Sequence, residues 1–150
     1  MQYWLMKTEP EEYSIKDLKR LKTTRWEGVR NFQARNFMQA MRAGDQVLFY
    51  HSSTEETGIY GLAQVTEIAT PDKTQFDPKG HYYDKRSTKA KPLWMAVEVG
   101  FVREFNKPFL LRDMRKDKRL AGMRLLQKGQ RLSVQPVSKA HFEHILKQTS

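Results

Sequence analysis

Thr23-Thr24-Arg25-Trp26-Glu27-Gly28-Val29-Arg30-Asn31-Phe32-Gln33-Ala34-Arg35-Asn36-Phe37-Met38 sets a tryptophan, a glycine, an arginine and an asparagine directly ahead of a helix. Asn31 is placed to cap that helix, because its side-chain oxygen can accept from one of the first amides, which have no partner inside the helix. Phe37, Met38 and Met41 supply an apolar stripe, and Gly44 reads as the left-handed residue that stops it. The helix separates one aromatic strand from all the later strands, and that order decides the fold class. Trp26 to Arg30 form a loop pinned to a helix N-terminus, which favours electronegative ligands. A π-face, a fork of donors and an amide that both donates and accepts lie within six residues, as a pocket for a planar heterocycle requires. A core tryptophan beside solvated charges is the plainer reading, and the pattern alone leaves both open.

Working outward, residues 2–7 alternate as a strand, and Thr8-Glu9-Pro10 breaks it. Ser14 reads as an N-cap, with Asp17 at the capping-box position in place of the usual Glu or Gln. Residues 46–51 are a compact apolar strand and residues 58–68 a longer one, joined by the polar loop 52–57 as a hairpin. Gly61 marks a bulge or a close approach to the backbone. Residues 70–92 are a long irregular loop with six Lys/Arg against three Asp and the pair Tyr82-Tyr83, and loops of that length in small domains tend to be functional or mobile. Residues 93–105 alternate best of all, residues 111–116 give a short helix, and residues 131–137 a last strand before a helix capped by Ser138. Strands at irregular spacing without β-α-β alternation imply an α+β class: a small, mostly antiparallel β-barrel or strongly curved sheet with flanking helices.

The chain has 150 residues, read as a single domain spanning 1–150, with 27 Lys+Arg against 17 Asp+Glu and a formal net charge of +10. That surplus favours polyanions, nucleic acid ahead of an anionic membrane. Cysteine is absent, which excludes disulfides, thiol nucleophiles and Cys-ligated zinc. No apolar run reaches half the ~20 residues of a membrane helix, and a soluble, cytoplasmic, monomeric protein without membrane contact is the expectation.

Enzyme signatures are sparse. The sequence carries no P-loop, nucleophile elbow, zincin motif or dinucleotide fingerprint. His141 and His144 lie at i, i+3 but have no third ligand nearby, so no metal site is expected. Glu9, Glu11 and Glu12 cluster near the first turn, which helix N-termini favour without any catalysis. No cofactor is expected. The aromatic inventory suits base recognition, in which stacking supplies affinity and amide or hydroxyl groups read the base edge.

Four segments resemble the EVE domain: Tyr3-Trp4-Leu5-Met6-Lys7-Thr8-Glu9-Pro10, Trp26-Glu27-Gly28-Val29-Arg30-Asn31, residues 44–52 (Gly44 to Ser52) and Arg131-Leu132-Ser133-Val134-Gln135-Pro136-Val137. Phe76-Asp77-Pro78-Lys79 and Tyr82-Tyr83-Asp84 match it as well. The resemblance runs in order from about residue 2 to residue 147, and implies a PUA-like fold related to ASCH and YTH domains. It implies a nucleic-acid partner, DNA or RNA, whose modified base is flipped into an aromatic pocket. By position, Trp26 resembles the pocket tryptophan, Gly28 and Val29 a backbone wall, and Arg30 and Asn31 polar contacts. Lys7, Ser14, Tyr50, His51, Ser133 and Gln135 lie on segments that line the pocket in the family, and Tyr13 or Trp94 could be its second aromatic. Lys85, Arg86, Arg119, Arg124 and Lys128 are assigned to the nucleic-acid backbone; the last three belong to residues 112–131, where eight Lys/Arg stand against Asp113 and Asp117.

Two alternatives stay open beside this reading. One is a module that binds a free modified nucleoside. The other is an RNA- or DNA-cleaving enzyme in which Lys7, Glu9 and His51 do acid–base work.

Overall fold

In a computed structural model, residues 1–149 are described. The elements in order are β1 (Tyr3–Thr8), α1 (Ile15–Leu21), β2 (Thr23–Arg25), α2 (Phe32–Ala40), β3 (Gln46–His51), β4 (Gly58–Pro71), β5 (Met95–Leu110), α3 (Leu111–Met114), β6 (Val134–Val137) and α4 (Lys139–Gln148), with 3₁₀ turns at Lys73–Phe76, Lys118–Leu120 and Arg124–Leu126. One six-stranded sheet runs β2-β5-β4-β3-β1-β6. β1 and β3 pair in parallel, and the other four pairings are antiparallel. The parallel pair needs a crossover, and α1, β2 and α2 provide it.

Consecutive residues of β1 and β3 enter different cores. Trp4, Met6, Val47 and Phe49 join α1 and α2 residues such as Ile15, Leu18, Ala34 and Met38. Leu5, Leu48 and Tyr50 instead meet Met114, Leu120, Met123, Phe142 and Ile145 on the other side. A sheet covered on both faces explains why β3 reads as a continuous apolar run instead of an alternating one.

The α+β class holds, but the closed barrel does not. Among the described residues β2 and β6 are the two ends of the sheet and do not pair. They are three and four residues long, and Pro136 in β6 has no N–H to donate. Gly44 does not cap α2, which ends at Ala40 with an extended Met41 after it. Its φ of +94° serves the turn into β3, where Asp45 accepts from the amides of Gln2 and Arg42 and from Trp4 Nε1, each at 3.0 Å. Burial opposes the Asp45 charge, yet those donors hold its carboxyl below the usual range. The Ser14–Asp17 capping box is complete despite its Asp. Gly61 sits at a register shift, where an added Cβ would meet Ile15 Cδ1 at 2.5 Å and Arg103 O at 2.7 Å.

Candidate nucleic-acid site

A cavity of about 940 Å³ opens where the end of β1, the loop 26–30, the turn Ser52–Ser53, Tyr82 of the long loop and Gln130–Ser133 converge. Of the residues singled out from sequence, Lys7, Trp26, Gly28, Val29, Arg30 and Ser133 line it. Trp26 is placed by the sheet: its N–H donates to Val97 O at 2.8 Å, continuing the β2–β5 pairing. Only 8% of the residue is exposed, and its ring stands edge-on to Phe49 with centroids 5.6 Å apart. Trp26 thus belongs to the first core and also lines the cavity.

The second aromatic on the cavity wall is Tyr82, joined by Tyr13. Trp94 is off it, buried, stacked on Phe32 at 4.6 Å and donating Nε1–H to Asp84. Tyr82 is held against Gly28 so closely that a Cβ there would lie 2.7 Å from Tyr82 Cζ, and Gly28 itself has φ +86°. Both facts favour glycine at this position.

Arg30 latches the two segments together. Its Nε donates to Tyr82 O (3.1 Å), Nη1 to Val29 O (2.9 Å) and Asp72 Oδ2 (3.1 Å), and Nη2 to Thr74 Oγ1 (3.0 Å) and Tyr82 O (2.8 Å). All five guanidinium hydrogens are thereby engaged. Asp72 is fully buried and also accepts from Gly28 N (2.8 Å) and Thr74 N (2.8 Å). Burial works against its charge, but the donors from Thr74, Gly28 and Arg30 prevail and its pKa falls. Arg30 is thus a strut for the pocket wall, with no donor left for a base edge or phosphate.

Five predicted residues sit off the cavity, each for a local reason. Asn31 caps α2, its side chain accepting from Ala34 N at 2.9 Å. Ser14 caps α1. His51 accepts from Ile15 N through Nε2 at 3.1 Å and stacks on Tyr60 at 4.1 Å; burial pushes its pKa down to about 4. Tyr50 is buried in the second core, and burial pushes its phenol up to about 12. Gln135 is wholly buried and donates to Leu132 O.

None of the five residues assigned to phosphate lines this cavity. Lys85, Arg119 and Lys128 are exposed, but Arg86 is paired with Asp84 at 2.8 Å and Arg124 lies over the Phe37 ring at 5.4 Å. The cations on the cavity itself are Lys7, Arg25, Arg30 and Arg131, against Glu9, Glu12 and Glu27. Burial lowers the Lys7 pKa, and among the described residues its ammonium meets only the Tyr50 ring, at 5.6 Å. Sequence reasoning passed over Tyr82, Glu27, Arg25 and Arg131. Glu27 lay inside the quoted stretch and Tyr82 in a conspicuous Tyr-Tyr pair, but only the fold brings them together.

The class is an α+β domain built on an open sheet covered on both faces, with an aromatic cavity beside the loop 26–30. The chain belongs to the EVE domain family, whose profile matches residues 2–148. It is 43% identical to thymocyte nuclear protein 1 of Gallus gallus, over 96% of this chain and 67% of that one. A crystal structure of a Pseudomonas syringae protein superposes with a TM-score of 0.95 at 46% identity, covering 99% of each chain. Human thymocyte nuclear protein 1, crystallised with DNA containing 5-methylcytosine, superposes with a TM-score of 0.93 at 38% identity, covering 100% of this chain and 98% of that one.

Among the described residues no helix is long and apolar enough to cross a membrane.

Proposed function

We propose that this protein binds DNA carrying a modified base, 5-methylcytosine foremost, and receives that base, flipped from its stack, in the cavity between Trp26 and Tyr82. The observation that carries the reading is the cavity: two aromatic side chains from segments far apart in sequence, latched by Arg30, with cationic groups at its margin. Flipping costs a few kcal/mol, which aromatic stacking at ~1–3 kcal/mol per base and hydrogen bonds to the base edge offset. The likeness to human thymocyte nuclear protein 1, crystallised with 5-methylcytosine-containing DNA, supports the choice of base.

The site reads as a binder rather than an enzyme. Of the groups first suited to acid–base work, Lys7 and Glu9 line the cavity, but His51 is off it with Nε2 committed to the Ile15 amide. Arg131 on the cavity, with exposed Lys85, Arg119 and Lys128, holds the strand, so affinity falls steeply with salt.

The test compares oligonucleotides with and without a single 5-methylcytosine by fluorescence anisotropy. The wild type prefers the modified strand, and Trp26→Phe and Tyr82→Ala lose that preference while keeping salt-dependent binding. A wild type indifferent to methylation would refute the proposal.

A further inference from the structure

Glu27 and Tyr13 both line the cavity, and each has a buried side-chain polar atom, Glu27 Oε2 and Tyr13 Oη, with no hydrogen-bond partner among the described residues. Such atoms are rare, because a buried polar group left unpaired loses its hydration with nothing in return. The backbone amides of Trp26, Glu27 and Gly28 are all bonded: Glu27 N–H donates to Arg25 O at 3.0 Å, Trp26 N–H to Val97 O and Gly28 N–H to Asp72. The two orphans are thus not signs of a poorly formed loop. A third group, the Lys7 ammonium, lines the same cavity and has no acceptor among the described residues.

Resting on the base-reading role above, we infer that Glu27 is the specificity-determining residue that reads the exocyclic 4-amino group of a cytosine-type base, with Tyr13 and Lys7 as donors to the rest of its edge. An ionised carboxylate is an acceptor only, a phenol can donate, and an ammonium only donates. One acceptor and two donors complement cytosine, which presents the N4 amino donor followed by the N3 and O2 acceptors. Thymine and uracil present O4 where cytosine has the amine, and N3–H where it has a lone pair. They would set a carbonyl against the Glu27 carboxylate, leaving both unpaired in a buried site. The 5-methyl group cannot make this distinction, because thymine and 5-methylcytosine share it. Glu27 therefore tells a methylated cytosine from the thymine that its deamination would produce.

The difference between a matched and a mismatched edge contact corresponds to on the order of tenfold or more in affinity. Single-stranded oligonucleotides carrying one 5-methylcytosine, cytosine, thymine or uracil at the same position remove the contribution of unpairing a duplex. With the wild type, 5-methylcytosine binds on the order of tenfold tighter than thymine. Glu27→Gln, whose amide can turn to offer either a donor or an acceptor, brings that ratio close to one, while Tyr13→Phe weakens 5-methylcytosine binding and leaves thymine binding unchanged. Circular dichroism and the thermal midpoint confirm that both variants fold. Thymine bound as tightly as 5-methylcytosine by the wild type, or an unchanged ratio in Glu27→Gln, overturns the assignment. A preference for 5-methylcytosine over cytosine that persists in either case shows that base reading stands and only its edge contact was misassigned; the loss of that preference in the wild type refutes the underlying reading itself.

Discussion

Replacing Arg30 with methionine separates a strut from a ligand contact. The substitution keeps much of the side chain's apolar length but removes all five donated hydrogen bonds, among them the 3.1 Å ion pair to Asp72. The Asp72 side chain is 0% exposed and that of Arg30 22%, so little solvent screening is available. Breaking a buried pair by removing one partner costs about 3–5 kcal/mol. Asp72 keeps the donors of Gly28 and Thr74, which places the expected loss near the lower end, about 3 kcal/mol. For a chain of this size that lowers the thermal midpoint by roughly 6–12 °C. Urea unfolding reads the free energy, and hydrogen exchange of the Gly28 amide, donated to Asp72, reads the release of the latch locally. Adding Asp72→Asn to Arg30→Met removes the stranded charge and recovers part of the loss, a coupling that a double-mutant cycle measures. DNA binding weakens, but its salt slope stays the same because no phosphate contact has gone. A stability loss under about 1 kcal/mol, together with a slope reduced by about 0.7–0.9, would show that Arg30 holds a phosphate and refute the strut.

Gly28→Ala strains a left-handed backbone and drives a methyl into the Tyr82 ring. The expected cost is only about 1–2 kcal/mol of stability, because the ring can swing outward, but the modified-base preference falls as far as in Tyr82→Ala; retained preference would argue against Tyr82 as a wall. His51 links folding to pH. Its folded pKa of about 4 lies below the ordinary 6.5, so the unfolded chain binds the extra proton between those values, and the stabilisation is complete above pH 6.5 and lost as pH falls toward 4. The stability advantage of the wild type over His51→Gln should therefore shrink by up to about 3 kcal/mol across that window, and a difference independent of pH in denaturant titrations would refute the role given to the ring.

Local chemistry made the caps legible in the sequence. Ser14, Asn31 and Ser138 cap their helices because an N-cap needs only a short acceptor side chain next to the first turn, whereas Gly44, read as the stop of α2, uses its positive φ in the turn into β3. The polar residues of the family motifs were harder to place. Asn31 and Arg30 carry the right functional groups for base recognition, but capping absorbs the Asn31 oxygen, and a buried carboxylate forty-two positions away absorbs the arginine. Sequence periodicity likewise could not show that β1 and β3 are parallel, nor that the sheet stays open between β2 and β6. Strand pairing depends on how the whole chain packs, and short edge strands leave no local trace of whether they meet. The sequence by itself determined the helix starts, the class, the family and the loop around Trp26. The tertiary structure alone decided that Tyr82, fifty-two positions beyond Arg30, joins the wall, and that Glu27 and Tyr13 on the same lining each keep a buried polar atom without a partner among the described residues. Hydrogen-bond satisfaction is a property of the packed molecule, settled only when every competing partner has taken its place.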